Sequence, residues 1–456
     1  MLRKFTSALL TLTLLATLAI SVSMQDSEPQ YAGLDMDLSG VTIRMATIGG
    51  GQYEAMYDSI AVFEEETGAT VEIVALLDGF AIDQKLKVDF ATGAADYDVS
   101  WNHTSFTAQY TNFLLPLQDF FTEEELAQFS PAILDAATID GNLYLVPRHA
   151  DIAAMHYRVD LYEDPDIQAA FLEATGEELV VPTSLDQIDQ QARFFVNNDY
   201  ATYGWTIAGK EEALTGRFYE MLFASGGALF DENFEPTFND ETGVAIAEML
   251  KSWYDEGVIP SDTTSLLWDG VAQNFCNGDV AVKLEWYGWY SYFQDDESCP
   301  AVAGNFGLAP GPVGLSIGGD NVRPTGWAGA HAFSIPATAE NPEAGAQLIK
   351  FLTSERVAYE EAQLGFLPVR DDVWDRVIAD AGESDMPLDQ ERMELAQFQV
   401  NEHFKTPPLI AEWIPFSNIF YPQLQAIILG DVSAQEGLDA AAEQTRQLMA
   451  DAGYYE

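Results

Sequence analysis

The chain has 456 residues, with 73 Asp and Glu against 20 Lys and Arg, for a formal net charge of −53. Such a surface repels nucleic acid and anionic membranes and excludes both as partners. Hydrophobic residues at 48% and aromatics at 12% exclude a disordered acidic chain; an acid excess on a Lys-poor protein fits either a saline habitat, where screening shortens repulsion to about 3 Å at 1 M salt, or an ordinary acidic protein.

The N-terminus reads as a secretory signal peptide over residues 1–23. Arg3 and Lys4 supply the positive start, residues 9–20 are almost purely Leu, Ala, Thr and Ile, and Ser21-Val22-Ser23 offers a small-x-small cleavage site. The apolar run is short for a membrane span, and no cysteine beside it offers a lipid anchor. Residues 24–39 are polar, acidic and poorly patterned, and read as a flexible tail. About 430 residues remain, enough for two domains of ordinary size.

Residues 41–46 predict a strand that runs into Gly49-Gly50-Gly51. Met56, Ile60 and Phe63 have helical spacing and predict a helix over 53–66, stopped by Gly68. A strand over 70–76, a helix over 81–92 ended by Gly93, and a short strand over 97–101 complete an α/β order with a largely parallel sheet. Residues 141–147 read as a turn and a strand, with 151–157 following. Ser184, with Gln187 three residues on, starts a further helix. A strand is expected over 203–207 and an amphipathic helix over 244–254, stopped near Gly257. Residues 304–319 are rich in Gly and Pro and read as loop. A strand over 326–335 and a helix over 342–352 come next; 404–420, with several prolines among aromatics, reads as irregular, and 438–450 as a terminal helix.

One run stands out. Asn277-Gly278 signals a turn, Val280, Val282 and Leu284 are β-prone, and Glu285-Trp286-Tyr287-Gly288-Trp289-Tyr290 follows. Four aromatics and a carboxylate therefore sit where a strand leaves a sheet, the end at which open α/β sheets bind ligands. Aromatic faces beside polar groups suit a sugar ring, with its apolar C–H faces and hydroxyl edges. Core packing is expected for one or two of the four. Cys276 and Cys299 are the only cysteines and flank this run; in an exported chain they are expected to pair. No His pair at ligand spacing joins them to suggest zinc.

Four segments together resemble the extracellular solute-binding proteins of carbohydrate ABC transporters, the maltose-binding-like family, over roughly residues 41–454. They are Phe63-Glu64-Glu65-Glu66-Thr67-Gly68 continuing through 85–98 to Leu115-Pro116-Leu117; residues 141–160; residues 275–289; and residues 326–370, with Asn341-Pro342-Glu343-Ala344, Phe351-Leu352-Thr353-Ser354 and Gly365-Phe366-Leu367-Pro368-Val369-Arg370. Each motif alone is weak; their order and spacing carry the match. The resemblance implies an α/β two-lobe periplasmic-binding-protein-like fold of the class II type, with a ligand cleft between discontinuous lobes that close by a hinge. Residues 40–149 and 326–370 would form the first lobe, and 150–325 with 371–456 mainly the second. Crossovers are expected near 148–150 and 323–327.

A sugar site needs acceptors and donors at hydroxyl edges and an aromatic platform. Asp151 is the leading acceptor, since the resemblance places it at a position that often holds a ligand-binding acid. Arg148 and His149 lie beside it; an interlobe salt bridge for Arg148, and a purely structural role for His149, are equally weighted. Glu285, Trp286, Tyr287, Trp289 and Trp327 are expected at the cleft. So are Trp101 and Asn102, ending the third strand, and Gln52 and Tyr53, after the glycine loop. Arg370 and Trp413 complete the candidates, with a loop-holding and a core role as their alternatives.

The function expected is therefore the substrate-binding component of an importer, periplasmic or extracellular and monomeric, that delivers a carbohydrate to permease subunits. It needs no cofactor and no metal, and it is not an enzyme. A polyol or an acidic sugar derivative is the alternative ligand, and Arg148 and Arg370 keep an anionic one open. A glycoside hydrolase is the alternative of another class, with Asp151 and Glu285 as its two carboxylates. Gly314-Leu315-Ser316-Ile317-Gly318 matches a hydrolase elbow, but Pro310, Gly311 and Pro312 precede it where a strand is required.

Overall fold

The computed structural model describes residues 37–49, 53, 57–382 and 387–455. The signal peptide, most of the tail and Gln52 lie outside the described residues. Nine strands occur in chain order among those described. They are β1 (Thr42–Ile48), β2 (Thr70–Leu77), β3 (Val99–His103), a short ribbon of β4 (Thr138–Ile139) and β5 (Asn142–Leu143), then β6 (Val146–Arg158), β7 (Val282–Trp286), β8 (Phe306–Ala309) and β9 (Ala328–Ser334). Apart from the ribbon they form one curled sheet in the order β2-β1-β3-β9-β6-β7, with β8 also on β6.

The first three strands are parallel, as the alternation of strand and helix predicts. Between them, the helices Ile60–Thr67 and Gly79–Thr92 make the crossovers. Gly68 ends the first helix with φ 74°, its N–H bonded to the Glu64 carbonyl, a conformation that glycine adopts without strain. β9 then enters antiparallel to β3 on one side and to β6 on the other. β6 is thirteen residues long and changes partner along its length: Val146–Ile152 pair with β9, and Ala153–Tyr157 with β7. One strand thereby joins two parts of the sheet.

The helix Pro342–Leu352 packs on the β3 side, with Phe351 against Phe63 at 5.4 Å between ring centres. The helices Glu211–Ala224, Glu241–Asp255, Trp413–Ile428 and Ala434–Asp451 pack on one another. Their buried faces include Phe218, Trp253, Phe416, Phe420 and Leu438. Ser184 caps its helix by accepting from the Gln187 N–H at 3.2 Å. Cys276 and Cys299 are joined by a disulfide. No helix among the described residues is long and apolar enough to cross a membrane.

Three sequence expectations are corrected. Residues 203–207 do not form a strand: the Gly204 and Trp205 N–H groups both turn to the Val258 carbonyl, and only Tyr203 bridges Val280. The Gly/Pro-rich stretch 304–319 contains β8, a four-residue strand held by β6. The segment read as irregular includes the start of a sixteen-residue helix, Trp413–Ile428. Pro415 stands in its first turn, where a missing N–H costs no helical bond. Pro422 lies inside the helix, where burial of Phe416, Phe420 and Leu424 outweighs the bond it removes.

Candidate functional site

A cavity of about 830 Å³ is lined by residues of β1, β3, β6, β7 and β9. That is large enough for a small solute rather than a macromolecule. Strand alternation decides which side chains reach it. On β7, Trp286 lines the cavity while its neighbour Glu285 points to the other side and is fully buried. On β3, Trp101 and His103 line it, and Asn102 between them does not; its Oδ1 accepts the His103 N–H at 2.8 Å.

Trp286 belongs to a cluster with Trp268, at the start of the helix Trp268–Cys276, and Trp327, just before β9. Ring centres lie 4.9 Å apart for Trp286 and Trp327, and 5.5 and 5.9 Å from Trp268 to each. The guanidinium of buried Arg217 sits over all three rings, at 5.0 to 5.4 Å from their centres. A desolvated cation over three indoles fixes their orientation. The charge of Arg217 is matched by Glu220 at 2.7 Å and Glu285 at 3.7 Å, and Glu285 also faces Lys283 at 3.6 Å. Burial pulls the Lys283 ammonium down to about 8. Glu285 is thus one of two carboxylates, with Glu220, in a buried charge network beside the tryptophans, and it does not line the cavity.

The opposite wall carries Tyr53, Trp101, His103, Asp151, His331 and Phe366. His331 Nε2 lies 3.1 Å from Asp151 Oδ2, and its Nδ1 accepts the Trp101 indole N–H at 3.1 Å. Trp289 follows β7 in a short turn, reaches the cavity and packs edge-on against Tyr292, at 5.6 Å between ring centres. Glu212, from the helix Glu211–Ala224, also reaches it and accepts the Trp413 indole N–H at 3.0 Å. Burial pushes the Glu212 carboxyl up to about 7, against the opposing effects of the Trp413 N–H and Arg217.

Among the sequence candidates, Tyr53, Trp101, Asp151, Trp286, Trp289 and Trp327 meet at this cavity. Others stand away from it, each for a visible reason. Arg148 is buried, with its Nε and Nη2 on Glu361 at 2.8 and 2.5 Å. His149 is covered by His331 and Phe366, whose ring centres lie at 4.3 and 4.7 Å. Burial, with His331 and Arg148 nearby, holds its imidazole well below its usual range. Tyr287 is fully buried and donates to Gln399 at 2.9 Å. Arg370 is held by Asp372 at 2.9 Å. Trp413 is core and touches the site through Glu212. Trp268, Glu212, His103 and His331 were missed. Alternation from Trp101 points to His103; the others come from segments with no local signal.

A cavity walled by tryptophans and carboxylates, beside an α/β sheet in which the long strand β6 joins two parts, suits the capture of a small solute. Residues 49–359 match the family described as bacterial extracellular solute-binding protein, and the chain belongs to that family. It is 22% identical over 432 residues to the mannitol-binding protein of Pseudomonas aeruginosa, covering 91% of this chain and 94% of that one. Maltose-bound MalE3 of T. maritima superposes with a TM-score of 0.76 at 25% identity, over 90% of this chain and 100% of that chain. A solute-binding protein from Agrobacterium vitis with bound D-mannitol does so with a TM-score of 0.73 at 20% identity, over 91% and 100%. The fold is thus the two-lobe fold of maltose-binding-like proteins.

Proposed function

We propose that the chain is exported, captures a neutral sugar or polyol in the cavity described, and delivers it to the permease of an ABC importer as its lobes close. The observation that carries the ligand class is the composition of the cavity wall. It offers five tryptophans with Trp268, Trp286 and Trp327 clustered, and the carboxylates Asp78, Asp151, Glu212 and Asp269, with no Lys or Arg among the described residues lining it. Indole faces suit apolar C–H faces, and carboxylates make charge-assisted bonds to hydroxyls. Relatives that carry mannitol and maltose in their names are consistent with this reading.

An acidic sugar derivative fits less well. Arg148 and Arg370, the cations that kept it open, are held by Glu361 and Asp372 away from the cavity. Binding rather than hydrolysis is favoured because Asp151 and Glu285 are not gathered in one cavity; Glu285 is locked with Arg217 and Lys283. The lobes are assigned as 40–149 with 326–370, and mainly 150–325 with 371–456, joined through β6 and the stretch leading into β9. Residues 1–23 serve as the export signal, and the exported chain acts as a monomer. A thermal-shift screen against neutral sugars, polyols and sugar acids tests the ligand class. Stabilisation by a neutral member is expected, and stabilisation by sugar acids alone would overturn it.

A further inference from the structure

His103, Asp151 and His331 form a cluster in which one ring nitrogen of each histidine and one carboxylate oxygen lie within 4.8 Å of one another. Two histidines and a carboxylate at such distances suit a divalent transition metal. The hydrogen bonds around them point elsewhere.

An indole N–H and a backbone N–H can only donate. The Trp101 indole donates to His331 Nδ1 at 3.1 Å, and the Ser105 backbone N–H to His103 Nδ1 at 3.2 Å. Each Nδ1 is therefore unprotonated, and each neutral ring carries its proton on Nε2. Nε2 is the nitrogen turned to the cluster in His331, 3.1 Å from Asp151. A metal there would need the opposite tautomer in both rings, with the Trp101 and Ser105 donors left facing N–H groups. Burial and the neighbouring His331 pull the His103 imidazole down to about 3, so it stays neutral at ordinary pH.

The backbone also makes room for this arrangement. His103 pairs with His331 across β3 and β9, and Gly329 pairs with Asp151 across β9 and β6. A side chain at Gly329 would overlap His103 Cε1 and lie 2.7 Å from its Nε2. Only glycine leaves room for the ring to lie across β9 beside Asp151. Both His103 and Asp151 line the cavity.

We propose that His103 and Asp151 are a donor–acceptor pair that grips two adjacent hydroxyl groups of the ligand, a vicinal diol, and that Trp101, His331 and Gly329 are positioning residues that set its polarity. One hydroxyl donates to the carboxylate, and the oxygen next to it accepts from His103 Nε2–H. The diol rests on the sugar or polyol reading above; the polarity of the pair does not.

The test is long-range 1H–15N correlation of full-length protein labelled with 15N in its histidines, assigned by His103→Gln and His331→Gln. Without ligand, both rings should show the Nε2–H pattern; an Nδ1–H pattern in either overturns the proposal. Trp101→Phe keeps an aromatic ring but removes the donor, and the His331 Nδ1 resonance should then shift while the Asp151 carboxylate keeps the proton on Nε2. An unchanged His331 would remove Trp101 from its positioning role. One equivalent of zinc chloride should leave both patterns in place; conversion of both rings to metal-bound Nε2 would make the cluster a metal site. When D-mannitol or maltose raises the melting temperature of the sample, the His103 Nε2–H resonance should move, and an unmoved resonance would refute the grip. The ligand-free spectra are decided without any sugar, so failure here and failure of the sugar reading are separate results.

Discussion

The indole of Trp327 occupies the space that a side chain on Gly216 would fill: a methyl group there would overlap its Cη2, Cζ2 and Cζ3 atoms. Gly216 lies inside the helix Glu211–Ala224, where glycine costs about 1 kcal/mol relative to alanine. The position therefore serves the tryptophan cluster rather than the helix. Gly216→Ala should displace Trp327, lower stability by about 1–3 kcal/mol through overpacking, and weaken ligand binding. Urea denaturation with tryptophan fluorescence checks this. If the helix merely gains alanine, stability rises by about 1 kcal/mol instead.

Stacking and charge-assisted bonds act on different parts of a ring. Trp286→Ala should weaken every accepted sugar or polyol, because it removes the platform. Asp151→Asn should weaken binding about 5- to 150-fold, from a loss of about 1–3 kcal/mol. It should also reorder the ligands, since only those with a hydroxyl at that place lose a contact. Calorimetric titration of both variants tells these effects apart.

Arg148 and Glu361 are both buried and bonded to each other, and the Arg148 guanidinium also lies over the rings of Tyr57 and Phe333 at 5.0 and 5.1 Å. Arg148→Met leaves Glu361 buried without this partner and should cost about 3–5 kcal/mol of stability. The ligand ranking should stay as in the parent. A variant of parental stability that has lost its ligand would instead make Arg148 a contact residue.

Glu212 titrates in the folded protein near 7, above its ordinary 4.5, because burial favours the neutral acid. The folded state thus holds the proton more tightly than the unfolded chain. Its stabilising contribution is full below 4.5 and is lost as the pH rises through 7. Glu212→Gln keeps an acceptor for the Trp413 N–H and removes the titration. The ligand-free variant should match the parent near pH 4 and exceed it by about 1–3 kcal/mol at pH 8. Denaturation midpoints at the two pH values decide it.

The disulfide between Cys276 and Cys299 spans 23 residues and closes a loop around the Trp286–Trp289 turn. Loop closure of that length contributes about 3 kcal/mol. Replacing both cysteines by alanine should lower stability by that order, and the unfolded, unreduced parent should show no reactive thiols. Two thiols per chain would contradict the pairing.

Much of this was legible locally. Parallel strands with crossover helices follow from runs such as 70–76 and from stops such as Gly68, which need nothing beyond their own neighbours. The aromatic run after β7 did bring Trp286 and Trp289 to the cavity. Period-two alternation was the cue left unused: Glu285 and Trp286 on one strand cannot face the same side, and neither can Trp101 and Asn102. The remaining wall was not legible because it is assembled at long range. His331 meets Trp101 only through β3–β9 pairing, and Glu212 reaches the cavity from a helix supported by Trp413, two hundred residues away.

Capture of a neutral sugar or polyol in this cavity is tested most directly by titrating the parent, Trp327→Ala and Asp151→Asn with the best ligand from the thermal-shift screen. The parent should bind one equivalent and gain about 2.7 kcal/mol of stability at a hundred times the dissociation constant, while both folded variants bind at least about fivefold more weakly, a loss of about 1 kcal/mol. Parental affinity in both variants, or no stabilisation by any neutral sugar or polyol, would contradict it.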